Sequence, residues 1–161
     1  MFIYSVRAST IKVLGVVLLL AALFGVIFLG GQADAVAVSA AGEVNYGGIK
    51  TKADRMAFIK GFGIQIDEGS EEESAFRMPD NFDRVILGYN VLQQKQGLDL
   101  SKYKNKKVTR YTYRVTNYKT DGEVFANLFV YRGKIVACDL CSADKDGFVL
   151  PLTLVSRDNL K

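Results

Sequence analysis

Residues 13–31 carry no charged side chain, and residues 13–29 read VLGVVLLLAALFGVIFL. As a helix that run is about 26 Å long, and Gly30 and Gly31 bring it near the ~30 Å hydrocarbon thickness of a bilayer. It has no polar face to turn to water, and a chain of 161 residues cannot enclose it in a core. The run is therefore expected to cross a membrane as a single helix. Arg7 and Lys12 precede it and the next positive residue is Lys50, which places the N-terminus in the cytoplasm. Ala35-Val36-Ala37 has the small-x-small form of a signal-peptidase site, so secretion after cleavage near Ala37 is the alternative. The run is longer than the usual ~7–15-residue signal core, which favours a retained single-pass anchor. Under both readings residues 32–161 are extracytoplasmic.

Beyond the apolar run the charges nearly balance, with 19 positive residues against 17 negative. A nucleic-acid binder carries a far stronger basic bias, so no nucleic-acid partner is expected. The chain has no histidine. That removes every Ser-His or Cys-His nucleophile and the commonest metal ligand; no cofactor and no metal site is expected.

Residues 32–50, rich in Ala, Gly and Val, read as a linker. Thr51 and Asp54 make a capping-box start for a first helix along Ala53, Met56, Ile59 and Phe62, ended by Gly61 and Gly63. Residues 64–66 alternate as a short strand, residues 68–73 (EGSEEE) form an acidic, mobile turn, and residues 74–78 pair as a second short strand. Asp80 is the expected N-cap of a second helix. Its core stripe is Phe82, Val85, Ile86, Tyr89 and Leu92, with a polar end at residues 93–96 and Gly97 as stop. From residue 108 the period becomes two. Strands are expected at 108–118, 123–131, 134–141 and 148–152, with turns at Asp121-Gly122, Arg132-Gly133 and Asp146-Gly147. The fold class is α+β: after the transmembrane helix, two helices pack on one face of a small antiparallel β-meander. The domain is expected over residues 51–152, with residues 153–161 as a tail that frays.

Two motifs could carry chemistry. Residues 102–119 hold Lys102, Lys104, Lys106, Lys107, Arg110, Arg114 and Lys119 without an acid, interleaved with Tyr103, Tyr111, Tyr113 and Tyr118. Alternation puts the arginines and the tyrosines on opposite sheet faces. Helices over the tyrosines leave a basic strip of Lys104, Lys106, Lys107, Arg110 and Arg114 for an anionic cell-envelope polymer, lipid headgroups or another envelope protein. The second motif, Cys138-Asp139-Leu140-Cys141, is a C-x-x-C within a strand rather than at a helix start. A disulfide between Cys138 and Cys141 requires the strand to bulge, since residues three apart point to opposite faces, and buried, inert thiols are the reading set against it. Asp139, with Asp144 and Asp146 nearby, is the acid grouping that suggests a hydrolase, which needs two carboxylates flanking a cleft. The expected function is a membrane-anchored, non-catalytic binding or interaction module. A thiol-disulfide or metal-handling protein is the alternative, and a carboxylate hydrolase follows it.

The stretch LQQKQGLDLSKYKNKKVTRYTYRVTNY, then NLFVYRGKIVACDLCS and DGF, resembles an uncharacterised bacterial family, domain of unknown function 4830, over about residues 51–149. The resemblance implies a short exported or anchored protein of Gram-positive anaerobes and an aromatic residue where this chain has Ile64. It supplies no functional residue.

Overall fold

A computed structural model describes residues 44–144 and 147–161. The expected anchor at 13–31, the candidate cleavage site at 35–37 and Asp146 lie outside the described residues. Among those described, no helix is long and apolar enough to cross a membrane.

The element order is α1 (Lys52–Lys60), β1 (Glu72–Arg77), α2 (Arg84–Gln94), β2 (Lys107–Val115), β3 (Val124–Tyr131), β4 (Lys134–Ser142) and β5 (Val149–Pro151), with short 3-10 turns at Glu68–Ser70, Leu100–Tyr103, Leu152–Leu154 and Arg157–Asn159. The strands form one antiparallel sheet in sequence order. This is the expected α+β class. α1 starts where the capping box places it: Asp54 N–H donates to Thr51 Oγ1, and the Asp54 carboxylate accepts from the Thr51 N–H.

Strict alternation gives the sheet two unlike faces. Tyr111, Tyr113 and Val115 of β2 share one face with Ala126 and Leu128 of β3 and Cys138 and Leu140 of β4. The main core lies there, with Ile59, Ile64, Ile66, Leu98 and Leu152 packed against it. Arg110 and Thr112 share the other face with Asn127, Phe129, Asp139 and Cys141.

The two helices do not lie together on the tyrosine face. α1 covers it, with Arg55 Nε donating to the Tyr113 hydroxyl at 3.0 Å. α2 crosses the arginine face, where the Tyr89 ring lies 5.9 Å from Phe129 and its hydroxyl donates to Asp139 Oδ2. The reason is that both faces carry apolar surface. A second cluster of Met78, Leu100, Val108, Val136 and Ala137, flanked by Phe76, Phe82 and Phe129, needs its own cover.

Several local expectations shift. Asp83 rather than Asp80 caps α2, its Oδ1 accepting from Ile86 N–H at 2.8 Å, and Phe82 packs ahead of the helix. The polar end is only half solvated: Gln94 and Lys95 are exposed but Gln93 and Gln96 are buried, while Leu87 and Val91 are exposed. Residues 64–66 make a single bridge, Ile66 with Val115, instead of a strand. The acidic stretch divides into a 3-10 turn and the start of β1, and Glu71 is drawn inward by Arg55. The nominal linker supplies Ile49 to the core, held by Ile49 N–H to Gly133 O and Ile135 N–H to Tyr46 O. The tail is docked, with Leu160 bridging to Tyr118 and Lys161 N–H bonded to Asn117 O.

Candidate functional site

A cavity of about 700 Å³ opens where β2 begins and the β3–β4 hairpin turns, within the range of small-ligand sites. Its cations are Lys50, Lys106, Lys107 and Arg132, and no carboxylate lines it among the described residues. Thr109 and Tyr111 are its hydroxyl-bearing residues, and Ile49 and Val130 contribute apolar surface.

Local backbone chemistry sets these positions. Arg132 and Gly133 form the two-residue hairpin turn with φ of 48° and 75°, the left-handed pair such turns require. Arg132 accepts that conformation without the freedom glycine has. Its guanidinium lies 5.3 Å from the Tyr131 ring centroid. Asn105, at φ 59°, also lines the cavity, so both left-handed non-glycine residues among those described belong to it. Asn105 N–H donates to Met78 O and Met78 N–H to Lys106 O, which extends the β1–β2 ladder and fixes Lys106 and Lys107 at its end. Lys50 arrives on the stem that Gly133 O anchors. Behind Tyr111, the Arg55 guanidinium sits 3.7 Å from the ring centroid.

None of the four lining cations forms an ion pair among the described residues, whereas Lys60 pairs with Glu68 and Arg114 with Asp67. Asp54, the acid beside Lys50, is committed to the cap of α1: its carboxylate accepts the Lys50 and Thr51 N–H groups, which hold it below its ordinary value.

The basic strip expected from the sequence is dispersed. Lys104, Lys106 and Lys107 are exposed, but Lys104 Nζ lies 5.3 Å from the Phe82 ring centroid and outside the cavity. Arg110 is buried at 7% exposure beneath the cover of the arginine face. Arg114 is half-exposed, paired with Asp67 at 2.5 Å and near Glu123 at 4.0 Å. Only Lys106 and Lys107 of that strip reach the cavity. Lys50 and Arg132 were read as linker and turn; no spacing rule joins them to residues 106–107, because only the register of β3 with β4 and the stem contact do.

Cys138 and Cys141 are free and buried. The bridge considered from the sequence is not formed, because β4 runs regularly through them. Cys138 points to the tyrosine face with Leu140, and Cys141 to the arginine face, where Asn127 Nδ2 donates to its sulfur at 3.3 Å. Burial, with the Asp139 charge adding, raises both thiols, Cys141 to about 12. Asp139 is 2% exposed and bonded to Tyr89 and Asn127, while Asp144 is exposed and bonded to Ser142, so the two do not flank a shared cleft. Among the described residues no three His, Cys, Asp or Glu side chains are grouped to hold a metal.

No curated protein and no solved structure matches the chain. The family described as domain of unknown function (DUF4830) matches residues 58–140, from the end of α1 through most of β4, the sheet that carries Lys106, Lys107 and Arg132. That match spans more than half of the sequence, and the chain belongs to the DUF4830 family.

Proposed function

We propose that this protein is a membrane-anchored, extracytoplasmic, non-catalytic binding module whose ligand is an anion seated in the cavity between β2 and the β3–β4 hairpin. The charge-free run at 13–31 and the cations before it support the tether and its direction. The observation that carries the ligand reading is the lining: four cations, no carboxylate and no ion pair among the described residues, on a domain whose total charge is nearly balanced. Interspersed charges are the ordinary solution for a soluble surface. A concave one-sign cluster raises the local potential and attracts counter-charge.

Less supports thiol chemistry. A reactive cysteine needs exposure and a lowered pKa, and both thiols here are buried and raised.

The test is titration of the detergent-solubilised full chain with glycerol phosphate, followed by NMR or calorimetry. Binding is expected to weaken as salt rises. Lys106→Gln, Lys107→Gln and Arg132→Gln should each weaken it by about 1 kcal/mol, roughly fivefold. A triple variant that binds as tightly as the parent refutes the reading.

A further inference from the structure

We infer that the occupant of this cavity is the phosphate headgroup of an anionic phospholipid in the membrane from which the chain emerges, an inference that rests on the anion-binding reading above. Two observations point to a lipid rather than a polymer of the envelope, and a third points to phosphate as the charged group.

The first is the path of the chain. Residues 44–50 run along the outer edge of β4 and end in the cavity wall, so Ile49 and Lys50 are tether and lining at once. From Gly31, at the end of the apolar run, to Val44, the first described residue, is thirteen residues, a reach of at most about 45 Å. A pocket leashed this closely to a bilayer meets headgroups at a high effective concentration, whereas a soluble polymer must arrive by diffusion.

The second is the composition of the wall. Ile49 and Val130 add apolar surface to a lining that otherwise carries the cations. A polymer that is anionic along its whole length gains nothing from that surface. A phospholipid presents a phosphate followed by a glycerol and the start of two acyl chains, so a lining that combines cations with apolar side chains suits both of its parts.

The third is the type of cation. Three of the four are lysines, compact charges on flexible stems that suit a phosphate able to rotate, whereas planar bidentate recognition is the role of arginine. The hydroxyls of Thr109 and Tyr111 add neutral donors for the phosphate oxygens. Arg132 is the exception and lies over the Tyr131 ring.

The experiment places the full chain in nanodiscs of phosphatidylcholine alone or mixed with phosphatidylglycerol. The rate of lysine acylation is read residue by residue by mass spectrometry. In the anionic discs Lys50, Lys106 and Lys107 are expected to react about fivefold more slowly, an effect lost in high salt. Lys161, exposed and docked beside Asn117, should react equally in both. Equal rates in the two discs, with soluble glycerol phosphate still protecting Lys106 and Lys107, overturn the lipid inference and leave the anion pocket standing. Equal rates with no protection by glycerol phosphate overturn both. Stronger protection by soluble poly(glycerol phosphate) than by the anionic lipid makes the occupant a polymer and also overturns the inference.

Discussion

The Asp139 carboxyl lies between the Tyr89 hydroxyl and Asn127 Nδ2, and Thr112 Oγ1 in turn donates to Asn127 Oδ1. Burial raises it from 3.8 to about 6, against the pull of the two hydrogen bonds and of Arg110. Below 3.8 the carboxyl is protonated in both folded and unfolded chains, and its contribution to stability is complete. As pH rises the unfolded chain ionises first, so that contribution is lost up to about pH 6. The loss amounts to about 3 kcal/mol. Asparagine at this position does not titrate. Denaturant midpoints of parent and Asp139→Asn, followed across that range, should therefore diverge in favour of the variant as pH rises; a constant difference contradicts the account. The alternation that puts Asp139 on a sheet face was legible in the sequence. Its neighbours were not, because Tyr89 comes from an element whose placement no local pattern specifies.

The outer edge of β4 joins three separate pieces of chain. The stem pairs at Gly133 and Ile135, Gln93 of α2 and Gln96 just past its end reach Cys138, and β5 pairs from Asp139 to Cys141. An uncovered edge is a template for aggregation, and this one is closed piecemeal. Gln96 does most at its centre: Nε2 donates to Cys138 O at 2.6 Å, and Oε1 accepts from Thr153 N–H at 3.3 Å. Gln96→Leu leaves a buried carbonyl and a half-buried N–H without partners. The expected loss is about 2–4 kcal/mol, read as a lower denaturant midpoint, against near-neutrality for a solvated glutamine such as Gln94. The apolar stripe of α2 was legible. The inward turn of its polar end was not, since glutamines after a helical stripe ordinarily face water, and only the short span of β5 leaves Cys138 for them to satisfy. Strand positions were legible to within a few residues because period two and the turn residues agree from residue 108 onward. The acidic residues at 72–73 were not, because their strand depends on partners in β2 far along the chain.

Contacts with the folded unit extend past both limits read from the sequence, through Tyr46 on one side and Lys161 on the other. Composition marks a stretch rich in small residues as linker, and nothing local reports that Ile49 is 7% exposed against the core. Ile49→Ala in the full chain should therefore cost about 2–4 kcal/mol; a denaturation curve like the parent's means the stem is not part of the fold. The cavity was half legible: Lys106 and Lys107 were read as basic surface, while Lys50 and Arg132 join them only through the stem and the hairpin. β2 starts beside that cavity at Lys107 and leads to Tyr118, where Leu160 is bridged. The nine residues of β2, at about 3.3 Å each, span about 30 Å, with the cationic hollow beside one end and the C-terminal strap just past the other. If the hollow rests on a bilayer as proposed, the strands stand upright. A fluorophore attached at Lys161 would then ride well clear of the lipid, and tension between that point and the proposed anchor would shear the ladder lengthwise instead of unzipping it rung by rung.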